Sequence, residues 1–96
     1  MGVTLYYGYY SKECNHPKVL PYLSREDCDD CSGKLDISFY DMCRTFAEYH
    51  EDAACWVFSD VLDLFNFASN EAVPACLATY ITEHHEDDLI FIIWKR

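Results

Sequence analysis

Glycine and proline are scarce in this 96-residue chain, at three copies each. That excludes low-complexity tracts and long structureless loops, so most residues are expected in regular elements. Positive charge is also short. Seven Lys and Arg face 17 Asp and Glu, a formal net charge of −10. Nucleic-acid phosphates and anionic membranes repel such a chain, so neither direct nucleic-acid binding nor membrane binding is expected. The longest apolar run, "LIFIIW" from Leu89 to Trp94, is too short to span a bilayer. The opening "MGVTLYYGYYSK" lacks the basic and apolar regions of a secretory signal, and Tyr6 stands where a myristoylation site wants Ser or Thr; a cytoplasmic location is expected. Missing too are G-x-S-x-G, the P-loop, G-x-G-x-x-G and H-E-x-x-H, so the chain is not expected to be an enzyme.

What is present is apolar and aromatic. Half the residues are hydrophobic (51%), 17% are aromatic, and Tyr alone occurs eight times, enough for the core of a single domain over residues 1–96. "VTLYYGYY", residues 3–10, reads as a strand in which Gly8 marks a bulge or a close backbone approach. The period breaks between Ser11 and Lys34, where "KVLPYL" could form a short strand that Pro21 confines to an edge or to irregular structure. Asp36 or Ser38 can cap a helix running to about His50, with Phe39, Met42, Cys43, Phe46 and Ala47 as its apolar stripe.

A second helix is expected over 54–68, with Val57, Phe58, Val61, Leu62, Leu64, Phe65 and Ala68 on one arc. Asp60, Asp63 and, against its own chemistry, Phe67 lie opposite. A third helix starts near Asn70, tolerates Pro74 in its first turn, and puts Val73, Leu77, Tyr80, Ile81 and His84 inward. "LIFIIWKR" is apolar on both faces, as an inner strand is. The fold class is therefore α+β: a small sheet in which the N- and C-terminal strands pair, with about three helices on one face. The alternative is a mostly α domain with an irregular Cys-rich N-terminal segment.

The segment without a period carries chemistry. Cys14-x-His16 is followed eleven residues later by Cys28-x-x-Cys31, a set of thiolates and an imidazole suited to structural zinc. Redox use of Cys28 and Cys31 is disfavoured, because Asp27, Asp29 and Asp30 suppress the thiolate. Cys43, Cys55 and Cys76 read as small core hydrophobes. His50, His84 and His85 are the histidines an enzyme would have available, with the thiols as nucleophiles.

The acids are clustered: Glu26, Asp27, Asp29 and Asp30; Glu48, Glu51 and Asp52; Asp60 and Asp63; Glu83, Glu86, Asp87 and Asp88. Each cluster falls on a loop or on an outer helix face. Carboxylates in such rows can imitate duplex phosphates, so a basic protein surface, above all that of a nucleic-acid-binding protein, is the expected partner. Phe67 and some of Tyr6, Tyr7, Tyr9 and Tyr10 could add aromatic anchors. A small, acidic, motif-free chain resembles in kind the phage-encoded inhibitors of host defence, such as anti-CRISPR and anti-restriction proteins; no motif carries that likeness, and for such a protein the location would be the host cytoplasm. The reading is a non-enzymatic inhibitor with an acidic binding face. A zinc-stabilised interaction module is the alternative, and an enzyme using a thiol or histidine the third.

Overall fold

The computed structural model describes residues 4–14, 16–27 and 35–95. Strand β1 (Thr4–Ser11) forms in a stretch rich in β-branched and aromatic residues. It pairs antiparallel with β2 (Tyr22–Asp27) on one side and with β5 (Leu89–Lys95) on the other. Helix α1 (Ile37–Phe46) starts at Asp36, whose carboxylate accepts the Phe39 amide at 3.2 Å. It is followed by the short β3 (Glu48–His50), by β4 (Cys55–Phe58), by α2 (Val61–Ala68) and by α3 (Ala75–His84). The sheet order is β2-β1-β5-β4-β3, and every pairing is antiparallel. The α+β class holds, and the strand nearest each end of the chain lies at the centre of the sheet.

Alternation sorts the side chains. Leu5, Tyr7 and Tyr9 of β1, Phe91 and Ile93 of β5 and Phe58 of β4 form one core with Phe39, Cys43, Leu64, Phe67, Leu77 and Ile81 from the three helices. The helices thus cover a single face. On the other face Tyr10, Cys55, Val57 and Ile92 make a smaller core, closed by Leu20, Leu23 and Ala53. The segment between β1 and β2 lies over this face: Pro17, Lys18 and Leu20 share a cleft with Ala53, Cys55 and Trp94.

Several boundaries depart from the sequence reading. The first helix stops at Phe46 rather than near His50, and β3 follows. The expected helix over 54–68 is a strand followed by a helix. "CWVF" buries Cys55, Val57 and Phe58, which suits a strand covered on both faces, and Asp60 then starts α2 afresh. The rephased helix buries Leu64 and Phe67 and leaves Val61, Leu62 and Phe65 exposed. Phe67 is therefore no surface anchor. It is wholly buried, edge-on to Phe39 and packed against Phe58.

Tyr7, Tyr9 and Tyr10 are likewise core residues, because the helices cover one face of β1 and Leu20, Leu23 and Ala53 help close the other. Tyr6 stacks on Trp94, its cross-strand partner, at 5.0 Å. Cys76, expected inside, is exposed, since α3 buries the Leu77–Ile81 side. On the same helix His84 is exposed, not inward-facing. The short strand expected over "KVLPYL" is displaced: Pro21 precedes β2, which starts at Tyr22 and is one of the two edge strands.

Candidate partner-binding surface

Asp60 is the best-placed of the carboxylates. It is the N-cap of α2, accepting the amides of Leu62 at 2.8 Å and Asp63 at 3.2 Å, so its negative charge sits at the positive end of the helix dipole. Asp63 lies in the first turn of the same helix. Glu48 opens β3, immediately after α1 ends. Together Glu48, Asp60 and Asp63 line one depression of about 260 Å³ between the end of α1, β3, β4 and the start of α2. Asp60 also lines an adjoining depression of about 310 Å³, with Lys12, His85 and Asp87. The topology thus joins acids from three separate sequence clusters along one flank.

Among the described residues one lysine, Lys12, lines these two depressions, against the four carboxylates Glu48, Asp60, Asp63 and Asp87. Among the described residues Arg44 pairs with Asp41 at 2.6 Å, while Glu48, Asp60, Asp63 and Asp87 form no ion pair with a lysine or arginine. Two histidines lie near these acids, His50 Nε2 at 3.9 Å from Glu48 and His85 Nε2 at 3.8 Å from Asp87. Beside these acids α2 presents the apolar side chains the sequence reading had turned inward: Leu62 is 67% exposed, Val61 45% and Phe65 38%. Phe65 is steadied by an edge-on contact with the His85 ring. The signal that could have found them is the N-cap at Asp60, which resets the helical phase so that Leu64 and Phe67, not Leu62 and Phe65, face the sheet.

Other expected site residues fall elsewhere. Glu51 and Asp52 sit in the β3–β4 turn and line a cleft of about 230 Å³ with His16, Lys18 and His50. Glu86 and Asp88 flank Asp87 in the turn between α3 and β5, and neither lines the two depressions. Asp27 ends β2, at the opposite edge of the sheet from Glu48. Asp29 and Asp30 lie outside the described residues.

Of the zinc set, only Cys14 and His16 are among the described residues. Cys14 is exposed in the turn that follows β1, where its amide donates to the Ser11 carbonyl. His16 is exposed, and its Nδ1 accepts the Lys18 amide at 3.2 Å. Cys28 and Cys31 lie outside the described residues, and among those described no group of three or more His, Cys, Asp or Glu is arranged to hold a metal ion.

The remaining thiols are set by burial. Desolvation pushes Cys43 up to about 12 and Cys55 up to about 11, which keeps both as neutral thiols at physiological pH. His84 is held to its own helix, its Nδ1 donating to the Tyr80 carbonyl at 3.0 Å. No helix among the described residues is long and apolar enough to cross a membrane. Comparison with protein-family models, with curated proteins and with solved structures gives no match.

Proposed function

We propose that this is a non-enzymatic binding protein that docks its acidic flank on the basic surface of another protein, of the nucleic-acid-binding kind, and blocks that surface. One observation carries the reading. Glu48, Asp60, Asp63 and Asp87 line two adjoining depressions without a lysine or arginine ion-paired to them among the described residues, directly beside exposed Val61, Leu62 and Phe65. These carboxylates supply a long-range attraction that speeds encounter and fixes orientation. The apolar patch supplies what charge does not, a desolvated anchor that slows dissociation. A basic nucleic-acid groove offers the complementary field, and an occupant with the charge of a duplex excludes the duplex.

The test is capture of basic proteins from a host lysate on immobilised protein, compared with a variant carrying Glu48→Lys, Asp60→Asn and Asp63→Lys. Asparagine at 60 preserves the helix cap while removing its charge. Wild type should retain a basic nucleic-acid-binding protein near 0.1 M salt and release it as the Debye length shrinks from about 10 Å toward 3 Å. The variant should fail to retain it, and the captured protein should lose nucleic-acid binding when the wild type is added. Retention that is equal for both baits, or indifferent to salt, overturns the proposal.

A further inference from the structure

A second cleft lies away from the flank, between the edge strand β2 and the C-terminal half of α3. It measures about 340 Å³ and is walled by Tyr9, Tyr22, Ser24, Tyr80, His84 and Glu86. That volume is at the small end of ligand pockets, roughly 300–1,000 Å³, and suits a side-chain head group rather than a cofactor.

One wall is a column of rings. Tyr80 stacks on His84 at 4.3 Å with 24° between the planes, and on Tyr9 at 5.9 Å and 25°. The column is pinned at both ends. The Tyr9 hydroxyl donates to the Ile81 carbonyl, and His84 Nδ1 to the Tyr80 carbonyl. Tyr7 meets Tyr80 edge-on at 4.6 Å, and the Tyr80 hydroxyl shares a 3.3 Å hydrogen bond with Ser24 Oγ, tying α3 to β2.

The other wall is Tyr22, 54% exposed on the outermost strand. It forms no ring contact with the column, although it is the cross-strand partner of Tyr9 and both line the cleft. Glu86 closes one side, exposed, and among the described residues no lysine or arginine lines the cleft.

Aromatic faces are electron-rich, and a carboxylate beside them leaves the cleft selective for positive charge. Of the cations a protein partner can offer, guanidinium fits best. It is planar, stacks on rings, and presents a fork of donors to a carboxylate, whereas an ammonium is a strongly hydrated point charge. We propose that this cleft takes an arginine side chain, seated between the Tyr22 ring and the wall formed by Tyr80 and His84, with its donors on Glu86. The arginine belongs to the basic partner of the previous section, so the biological role rests on that reading; the chemistry of the cleft does not.

N-acetyl-arginine amide is the probe, read by the ring resonances of Tyr22 and Tyr80 in NMR titrations of the intact protein. Saturable shifts at millimolar concentrations are expected. Tyr22→Ala and Glu86→Gln should each weaken binding about two- to fivefold, near the worth of one exposed cation–π contact and one exposed ion pair respectively, and Tyr22→Phe should keep it. Both positions are exposed, so each variant should retain the wild-type amide spectrum. Equal shifts from the neutral isostere N-acetyl-citrulline amide, equal shifts from N-acetyl-lysine amide, or no saturable shift would overturn the proposal. Because the probe is a single amino acid, arginine binding without capture of any basic protein would sink the docking reading alone, and capture without arginine binding would sink the cleft alone.

Discussion

Two backbone positions carry opposite strains. Ala54, in the β3–β4 turn, has φ of 51°, the left-handed region that costs a residue with a Cβ about 1–2 kcal/mol. Ala54→Gly relieves that cost against the added entropy of glycine in the unfolded chain. A net gain of up to about 1 kcal/mol is expected, read as a higher denaturant midpoint at unchanged slope. At Gly8 the sign reverses. A Cβ there would lie 2.7 Å from the Leu23 Cα and 2.8 Å from the Tyr22 carbonyl oxygen, both on the backbone of β2. Gly8→Ala must therefore push two paired strands apart, and a loss of about 1–3 kcal/mol is expected in the same measurement.

The thiols make a further prediction at this scale. Cys14 and Cys76 are exposed and Cys43 and Cys55 buried, so alkylation followed by mass spectrometry should label the first pair in the native protein and the second only after unfolding. Below pH 9 the Cys43 thiol is neutral whether the chain is folded or not. Between 9 and about 12 only the unfolded chain ionises it, so stability falls with rising pH through that window. Cys43→Ala should be less stable at pH 8 yet lose stability less steeply above pH 9.

At the scale of elements, what the sequence shows depends on whether a period is local. The strand character of "VTLYYGYY", the inner-strand character of "LIFIIW" and the Phe39–Cys43 stripe of α1 are each carried by the segment itself, and all three are found. Residues 54–68 mislead because Val57 and Phe58 fit the apolar arc of a helix as well as the buried faces of a strand; only pairing with β5 decides between them. The site inherits that error. Its charged half, Asp60 and Asp63, was legible because carboxylates belong outside on any phase. Its apolar half was not, because the phase of α2 is fixed by a cap and a sheet that local composition does not display.

Phe67 and Leu62 test the rephasing directly. Phe67→Ala empties a fully buried site and should cost about 3–5 kcal/mol, whereas Leu62→Ser should stay within about 0.5 kcal/mol of wild type, both measured by chemical denaturation.

At the scale of the molecule, charge opposes the compact state. Ten uncompensated negative charges, 17 against 7, repel one another most when the chain is folded. Added salt should screen that repulsion, so the thermal midpoint should rise between about 0.01 and 0.3 M sodium chloride, by calorimetry or circular dichroism. A flat or falling midpoint would show the carboxylates to be internally compensated, which would also remove the field on which docking depends.

The position of β5 has a consequence for how the chain is made. It is the last strand in order, yet it alone joins β1 to β4. Until it leaves the ribosome, the earlier strands exist as two hairpins with nothing to zip them together, and the tyrosine-rich edge of β1 stays bare. At roughly 5–20 residues per second that interval lasts on the order of seconds, during which the nascent chain has its greatest need of a chaperone.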